Sequence, residues 1–125
     1  MAEQEALRGL RILIAEDNVF AALELEQTLR DFGCEPVGPV ASVAEALRLV
    51  RETPLDGALL DVDLRGERCF PIAEELRRRD IPVVFATGYD EQDLIPQTLT
   101  AAPRLRKPYM TSELQRAIVQ AFARA

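Results

Sequence analysis

The chain has 125 residues, enough for one domain with its own core, and 48% hydrophobic beside 29% charged content marks it as globular rather than disordered. Its 21 acidic residues outnumber 15 basic ones, and a net charge of −6 argues against non-specific nucleic-acid binding, which needs a basic face. Histidine is absent, which removes His general bases, Ser-His triads, the commoner zinc sites and any part as a phosphohistidine donor.

No apolar run approaches the roughly 20 residues that cross a bilayer. The acidic start, Met1-Ala-Glu-Gln-Glu-Ala, lacks the basic head and apolar middle of a signal peptide, so a cytoplasmic protein with no membrane partner is expected. In that compartment Cys34 and Cys69 read as free thiols.

In chain order, residues 1–9 read as an N-terminal tail and 10–125 as the domain. Arg11 to Ala15 is a short β-branched run, hence a buried strand. Asn18 can cap the helix that follows, with Ala22, Leu25, Leu29 and Phe32 on one face, and Gly33 stops it. Glu35 to Val40 is a second strand, whose two prolines place it at the sheet's edge. Ser42 and Glu45 form a capping box for a helix that turns Val43, Ala46, Leu47 and Val50 inward and ends at Pro54. Leu55 to Leu60 is the third strand. Pro71 suits the first turn of the next helix, which buries Ile72, Ala73 and Leu76 and ends in Arg77-Arg78-Arg79, a basic end that complements the helix dipole. Ile81 to Ala86 is the fourth strand. Pro96 interrupts any helix over 90–102, so a shortened or mobile one is expected there. Arg104 to Lys107 is the fifth strand, and Thr111 or Ser112 caps a last helix that packs Leu114, Ile118 and Ala121 on the sheet.

Five strands with intervening helices predict an α/β fold: a doubly wound five-stranded parallel sheet in the flavodoxin-like order 2-1-3-4-5, with helices on both faces. Its chemistry then belongs at the strands' C-terminal ends. Those ends carry Glu16 and Asp17, then Asp61, then Thr87-Gly88, then Lys107-Pro108. Gathered carboxylates repel one another by about 4 kcal/mol per pair at about 4 Å and an effective dielectric of about 20. A hard divalent cation such as Mg2+, held by oxygens, relieves that repulsion. With the Lys107 ammonium and Thr87 hydroxyl converging as well, the set suits in-line phosphoryl transfer to a free carboxylate. Asp61 is then the nucleophile, and Glu16 and Asp17 hold the metal.

Taken together and in this order, Glu16-Asp17-Asn18, Asp61, Thr87 and Lys107-Pro108 resemble the receiver domain of bacterial two-component response regulators, from about Leu10 onward. Phe85-Ala-Thr-Gly-Tyr89, with the Gly66–Pro71 segment, is similar to the subclass bearing a Phe-Ala-Thr-Gly-x-Tyr signature, although here Tyr follows Gly88 directly and Asp90 takes the last place. The resemblance implies uptake of a phosphoryl group from a sensor histidine kinase onto Asp61. It implies Mg2+ bound through Glu16, Asp17, Asp61 and the backbone carbonyl of Asp63, with Thr87 and Lys107 on the phosphoryl oxygens. It also implies a protein-interaction surface, formed by the 90–102 segment, the fifth strand and the last helix, that shifts on phosphorylation.

Many receivers place an aromatic switch residue three positions before the lysine; here that position is Arg104. Tyr89 is expected to take over part of its role and to shield the acyl phosphate from water. The Asp63 side chain is expected to tune access rather than to ligate, and Cys69 to be a passive small side chain near the rim.

An enzyme reading competes. Asp61-Val62-Asp63 after an apolar strand also opens haloacid-dehalogenase-type phosphatases, whose acidic pair comes later in the chain. Here that pair comes first, and the chain has no room for a cap domain, so the order of residues speaks against a turnover enzyme. A receiver-like binding module that is never phosphorylated is the other competitor, disfavoured because Glu16, Asp17, Asp61, Thr87 and Lys107 are all present. A calcium loop around Asp61 and Asp63 lacks its further ligands. With no effector domain in the chain, output is expected to run through a partner protein.

Overall fold

Alternating strand and helix signals fold this chain around a main sheet covered on both faces. The computed structural model describes residues 2–88 and 91–123. The elements are α1 (Ala2–Leu7), β1 (Arg11–Ala15), α2 (Val19–Asp31), β2 (Glu35–Val40), α3 (Val43–Glu52) and β3 (Gly57–Asp61). A two-stranded hairpin, β4 (Asp63–Leu64) and β5 (Glu67–Arg68), follows. Then come α4 (Phe70–Arg78), β6 (Val83–Thr87), two 3-10 turns at Gln92–Leu94 and Gln97–Leu99, β7 (Arg104–Arg106) and α5 (Thr111–Phe122).

The main sheet runs β2-β1-β3-β6-β7 with every neighbouring pair parallel. With the hairpin set aside, that is the flavodoxin-like order expected. The registers place Ala15 beside Leu60, Asp61 beside Ala86 and Thr87 beside Arg106. The carboxyl ends of β1, β3, β6 and β7 therefore form one edge. The chain reverses its direction of winding between β1 and β3, which opens a crevice at that edge.

Strand alternation splits the core in two. Ile12, Ile14, Leu59 and Val84 pack with Leu25, Leu29, Leu114 and Ile118 on the face covered by α1, α2 and α5. Leu13, Ala15, Leu60 and Phe85 pack with Val43, Ala46, Val50, Ile72 and Leu76 on the other. Both helix starts that follow β1 and β2 are capped as expected: the Ala21 amide donates to Asn18 Oδ1 at 2.9 Å, and the Glu45 amide to Ser42 Oγ at 3.2 Å. Gly33, at φ +83°, supplies the left-handed turn after α2. At the end of α4, Arg77 pairs with Glu74, and Arg78 and Arg79 with Glu75, so the triple arginine is a solvated, internally paired helix end.

Several boundaries differ from the expectation. Within the segment read as a tail, Ala2–Leu7 forms α1, and Leu7 is fully buried in one cluster with Leu10, Cys34 and Phe122. Strand β3 begins at Gly57 rather than Leu55, because Asp56 turns the chain, accepting from the Arg11 amide at 2.8 Å and donating to the Arg11 carbonyl at 2.7 Å. At its other end the strand runs one residue further than expected, to Asp61, which pairs with Ala86. Strand β6 starts at Val83, since Pro82 has no N–H and only its carbonyl joins the ladder, accepting from Ala58 at 3.1 Å. Strand β7 ends at Arg106, one residue before Lys107. The last helix is capped by neither Thr111 nor Ser112; its cap position is Met110, whose amide donates to Glu113 Oε1 at 2.8 Å. The hairpin was not anticipated.

Candidate functional site

Each acidic group reaches the carboxyl edge because a buried strand runs out beneath it. Strand β1, fully buried from Ile12 to Ala15, delivers Glu16, itself 3% exposed, and then the exposed Asp17. Strand β3, buried throughout, delivers Asp61 at 7% exposure. Ligand atoms of Glu16, Asp17 and Asp61 lie within 4.8 Å of one another. Lys107 closes the group: its amide donates to the Thr87 carbonyl at 2.7 Å, anchoring the backbone. Its ammonium donates to Glu16 Oε1 at 3.0 Å and Asp61 Oδ2 at 3.2 Å.

The electrostatics follow from that crowding. Burial first, then the hydrogen bond and charge of neighbouring Glu16, raise the Asp61 carboxyl from 3.8 to about 7, and Lys107 only partly opposes them. Burial works against the Lys107 ammonium, but the bond to Glu16 and the charges of Asp61 and Glu16 outweigh it and hold the group above its ordinary value. With all three carboxylates ionised, the one ammonium leaves two negative charges uncompensated. The donor set is all oxygen and suits a hard dication rather than zinc or copper. The residues present therefore fit Mg2+.

The β4–β5 hairpin walls the site on one side. Arg65 (φ +51°) and Gly66 (φ +86°) make its tight turn, a conformation that favours glycine at the second position. Asp63 caps that turn by accepting from the Gly66 amide at 3.0 Å, and the Arg65 amide donates to Asp17 Oδ2 at 2.9 Å. The Asp63 amide in turn points at Asp61 Oδ1, at 3.4 Å. In the loop after β6, the Gly88 amide donates to Glu91 Oε1 at 2.6 Å.

Of the residues singled out in the sequence, Glu16, Asp17, Asp61 and Lys107 are brought together. Thr87 is fully buried, and its hydroxyl donates to the Leu105 carbonyl at 3.5 Å, toward β7 rather than toward the carboxylates. The Asp63 side chain serves the hairpin turn. Arg104 is half-buried and pairs with Phe85 in the sheet, at the opposite end of β7 from Lys107. Tyr89 lies outside the described residues. Cys69 is fully buried, and burial first, with the Asp61 charge second, pushes its thiol up to about 12, so it is a protonated packing group at neutral pH. Sequence reasoning missed Arg65 and Arg68, whose parts depend on the unexpected hairpin, and Glu91, whose part depends on the turn after β6. It also missed Tyr109, whose phenol is raised to about 12, chiefly by burial, and which shares an open cleft with Asn18, Glu24 and Lys107.

A doubly wound sheet with three carboxylates and a lysine at its carboxyl edge defines the receiver class of signalling domain. The response regulator receiver domain model matches residues 12–119, and the chain belongs to that family, whose members work in two-component systems and are generally not turnover enzymes. The transcriptional regulatory protein PdtaR of Mycobacterium tuberculosis is 32% identical over 91% of this chain and 57% of its own length. The sensory transduction protein LytT of Bacillus subtilis is 32% identical over 87% of this chain and 46% of its own. The chain thus spans about half the length of these curated relatives. SdrG from Sphingomonas melonis Fr1, known from a solution structure, is 41% identical with a TM-score of 0.77, covering 88% of this chain and 93% of that one. A solution structure described as the BeF3-activated conformation of SdrG from Pseudomonas melonis Fr1 is 40% identical with a TM-score of 0.70, covering 89% and 98%. Among the described residues, no helix is long and apolar enough to cross a membrane.

Proposed function

We propose that this domain is the phosphoacceptor of a two-component system, taking a phosphoryl group from a sensor histidine kinase onto Asp61. The observation that carries the reading is the convergence of Glu16, Asp17 and Asp61 within 4.8 Å, with Lys107 Nζ 3.2 Å from Asp61 Oδ2. Belonging to the receiver family supports it, as does the 40% identical relative described as BeF3-activated.

Asp61 is the nucleophile: a carboxylate oxygen forms a bond to phosphorus as the bond from phosphorus to the donor's imidazole nitrogen breaks, and the imidazole leaves with a proton from water. Glu16, Asp17, Asp61 and the Asp63 backbone carbonyl would hold Mg2+, which when bound supplies positive charge to the phosphoryl oxygens. Lys107 keeps its ammonium beside the attacking carboxylate and neutralises charge as it builds on the phosphoryl oxygens. Thr87 supplies a neutral hydroxyl donor after leaving its bond to Leu105, and that rotation would couple the site to β7. The 90–102 segment, β7 and α5 form the output surface toward a downstream protein, and the protein works in the cytoplasm without nucleic acid of its own.

Incubation with acetyl phosphate and Mg2+, followed by intact-mass measurement, tests the assignment. The wild type is expected to gain one phosphoryl mass and Asp61→Asn none. No gain by the wild type, or equal gain by the variant, overturns it.

A further inference from the structure

Among the described residues, the tightest side-chain hold on a backbone amide near the site belongs to Glu91. Glu91 Oε1 accepts from the Gly88 amide at 2.6 Å, and a Cβ built at Gly88 would lie 3.1 Å from that same oxygen. Gly88 directly follows Thr87, and the sheet sets Ala86 beside Asp61, so this amide lies just beyond the edge where the carboxylates gather. Glu91 also stands 4.0 Å from Arg68 Nη1, which is equally 4.0 Å from Asp63 Oδ2. One guanidinium thus stands between the loop after β6 and the hairpin after β3, at the outer limit of an ion pair to each.

A backbone N–H at a strand's end, aimed at an anionic oxygen, is a ready anion site. Resting on the phosphoacceptor reading above, we propose that Glu91 is a positioning residue that occupies this site internally, its carboxylate holding the Gly88 amide until a phosphoryl oxygen on Asp61 takes it over. A dianionic phosphoryl group placed there repels the Glu91 carboxylate and competes for the same N–H. Displacement frees Glu91, breaks its contact with Arg68 and uncouples the Gln92–Leu94 turn from the hairpin. The phosphoryl group's arrival is then relayed by exchange of one anion for another, without an aromatic residue at position 104.

The test titrates acetyl phosphate, with Mg2+, against the full chain and against Glu91→Gln, Glu91→Ala and Asp93→Asn, reading the gain of one phosphoryl mass at steady state. The amide NMR signal of Gly88 is followed in parallel. Freeing an amide from a charged acceptor should lower half-saturation by about 5- to 10-fold in Glu91→Ala, with a smaller drop in Glu91→Gln, which keeps a neutral acceptor and the turn's size. Asp93→Asn removes an exposed charge from the same turn and should change half-saturation by less than about twofold. The Gly88 signal should move in unphosphorylated Glu91→Ala, and again in the wild type on phosphorylation. Equal half-saturation in the wild type and both Glu91 variants overturns the proposal. So does an equal drop in Asp93→Asn, which would make the effect one of net charge, or a Gly88 signal unmoved by phosphorylation. Those outcomes leave the phosphoacceptor reading standing; a wild type that gains no phosphoryl mass overturns both.

Discussion

At Asp61 the cost of building the site is carried by one side chain. Burial, and then neighbouring Glu16, push its carboxyl up from 3.8 to about 7. A group whose folded value is raised stabilises the fold below its unfolded value, and that contribution is lost as pH rises through the folded value. In metal-free solution, stability should therefore decline between about pH 4 and about pH 7 by at least about 1 kcal/mol more in the wild type than in Asp61→Asn. Urea unfolding of both proteins at pH 5 and pH 8 with a chelator measures the difference, and parallel pH dependence in the two would refute this account. Mg2+ should narrow the gap by supplying the missing positive charge. The same pressure explains why Lys107, rather than solvent, is the partner of two buried carboxylates.

Among the elements, β3 shows how packing at one end is kept apart from chemistry at the other. Asp61 ends the strand in the site; Gly57 begins it against α5, where an added Cβ would come within 2.5 Å of Phe122 Cδ1. Gly57→Ala is expected to cost about 1–3 kcal/mol by overpacking, with the phosphorylation yield unchanged at a temperature where the variant stays folded. Chemical denaturation and intact mass together check this, and shortening the ring with Phe122→Leu in the same chain should recover part of the loss. The glycine is a fit for Phe122, and nothing in the local pattern of the strand announces it. The hairpin was equally hidden, because two residues per strand are too few to show a period of two. Its signal was Asp63-Leu-Arg-Gly66, an acid able to cap a turn placed three residues before a glycine.

For the whole molecule, the two half-cores on either face of the sheet set what can be removed. Leu7 belongs to the face shared by α2 and α5 and is fully buried, while the Cys34 thiol donates to its carbonyl at 3.4 Å. Leu7→Ala is expected to destabilise the domain by about 2–5 kcal/mol, as a core leucine does, whereas a leucine in a loose tail would cost almost nothing. Thermal or urea unfolding distinguishes the two. Away from the site, Glu26, Glu74 and Glu75 pair with nearby arginines on helix surfaces, so those acids are offset locally, unlike the acids gathered at the site.

Much of this protein is determined by sequence alone. Strand and helix order follows from apolar periodicity, and the winding of the sheet from the handedness of its crossovers. The identities at the strand ends, Glu16-Asp17, Asp61, Thr87 and Lys107, follow from where each apolar run stops. Those features rest on local rules, so a linear string of residues is enough to carry them. The tertiary structure alone decided that Lys107 bridges Glu16 and Asp61, that Thr87 faces Leu105, that residues 2–7 form a helix packed on the core, and that Glu91 holds the Gly88 amide. Each of these depends on distances across the fold, or on the exact turn of a short loop, and neither leaves a periodic mark in the chain. The carboxylates were therefore legible as a set, while their partners were legible only once the strands lay side by side.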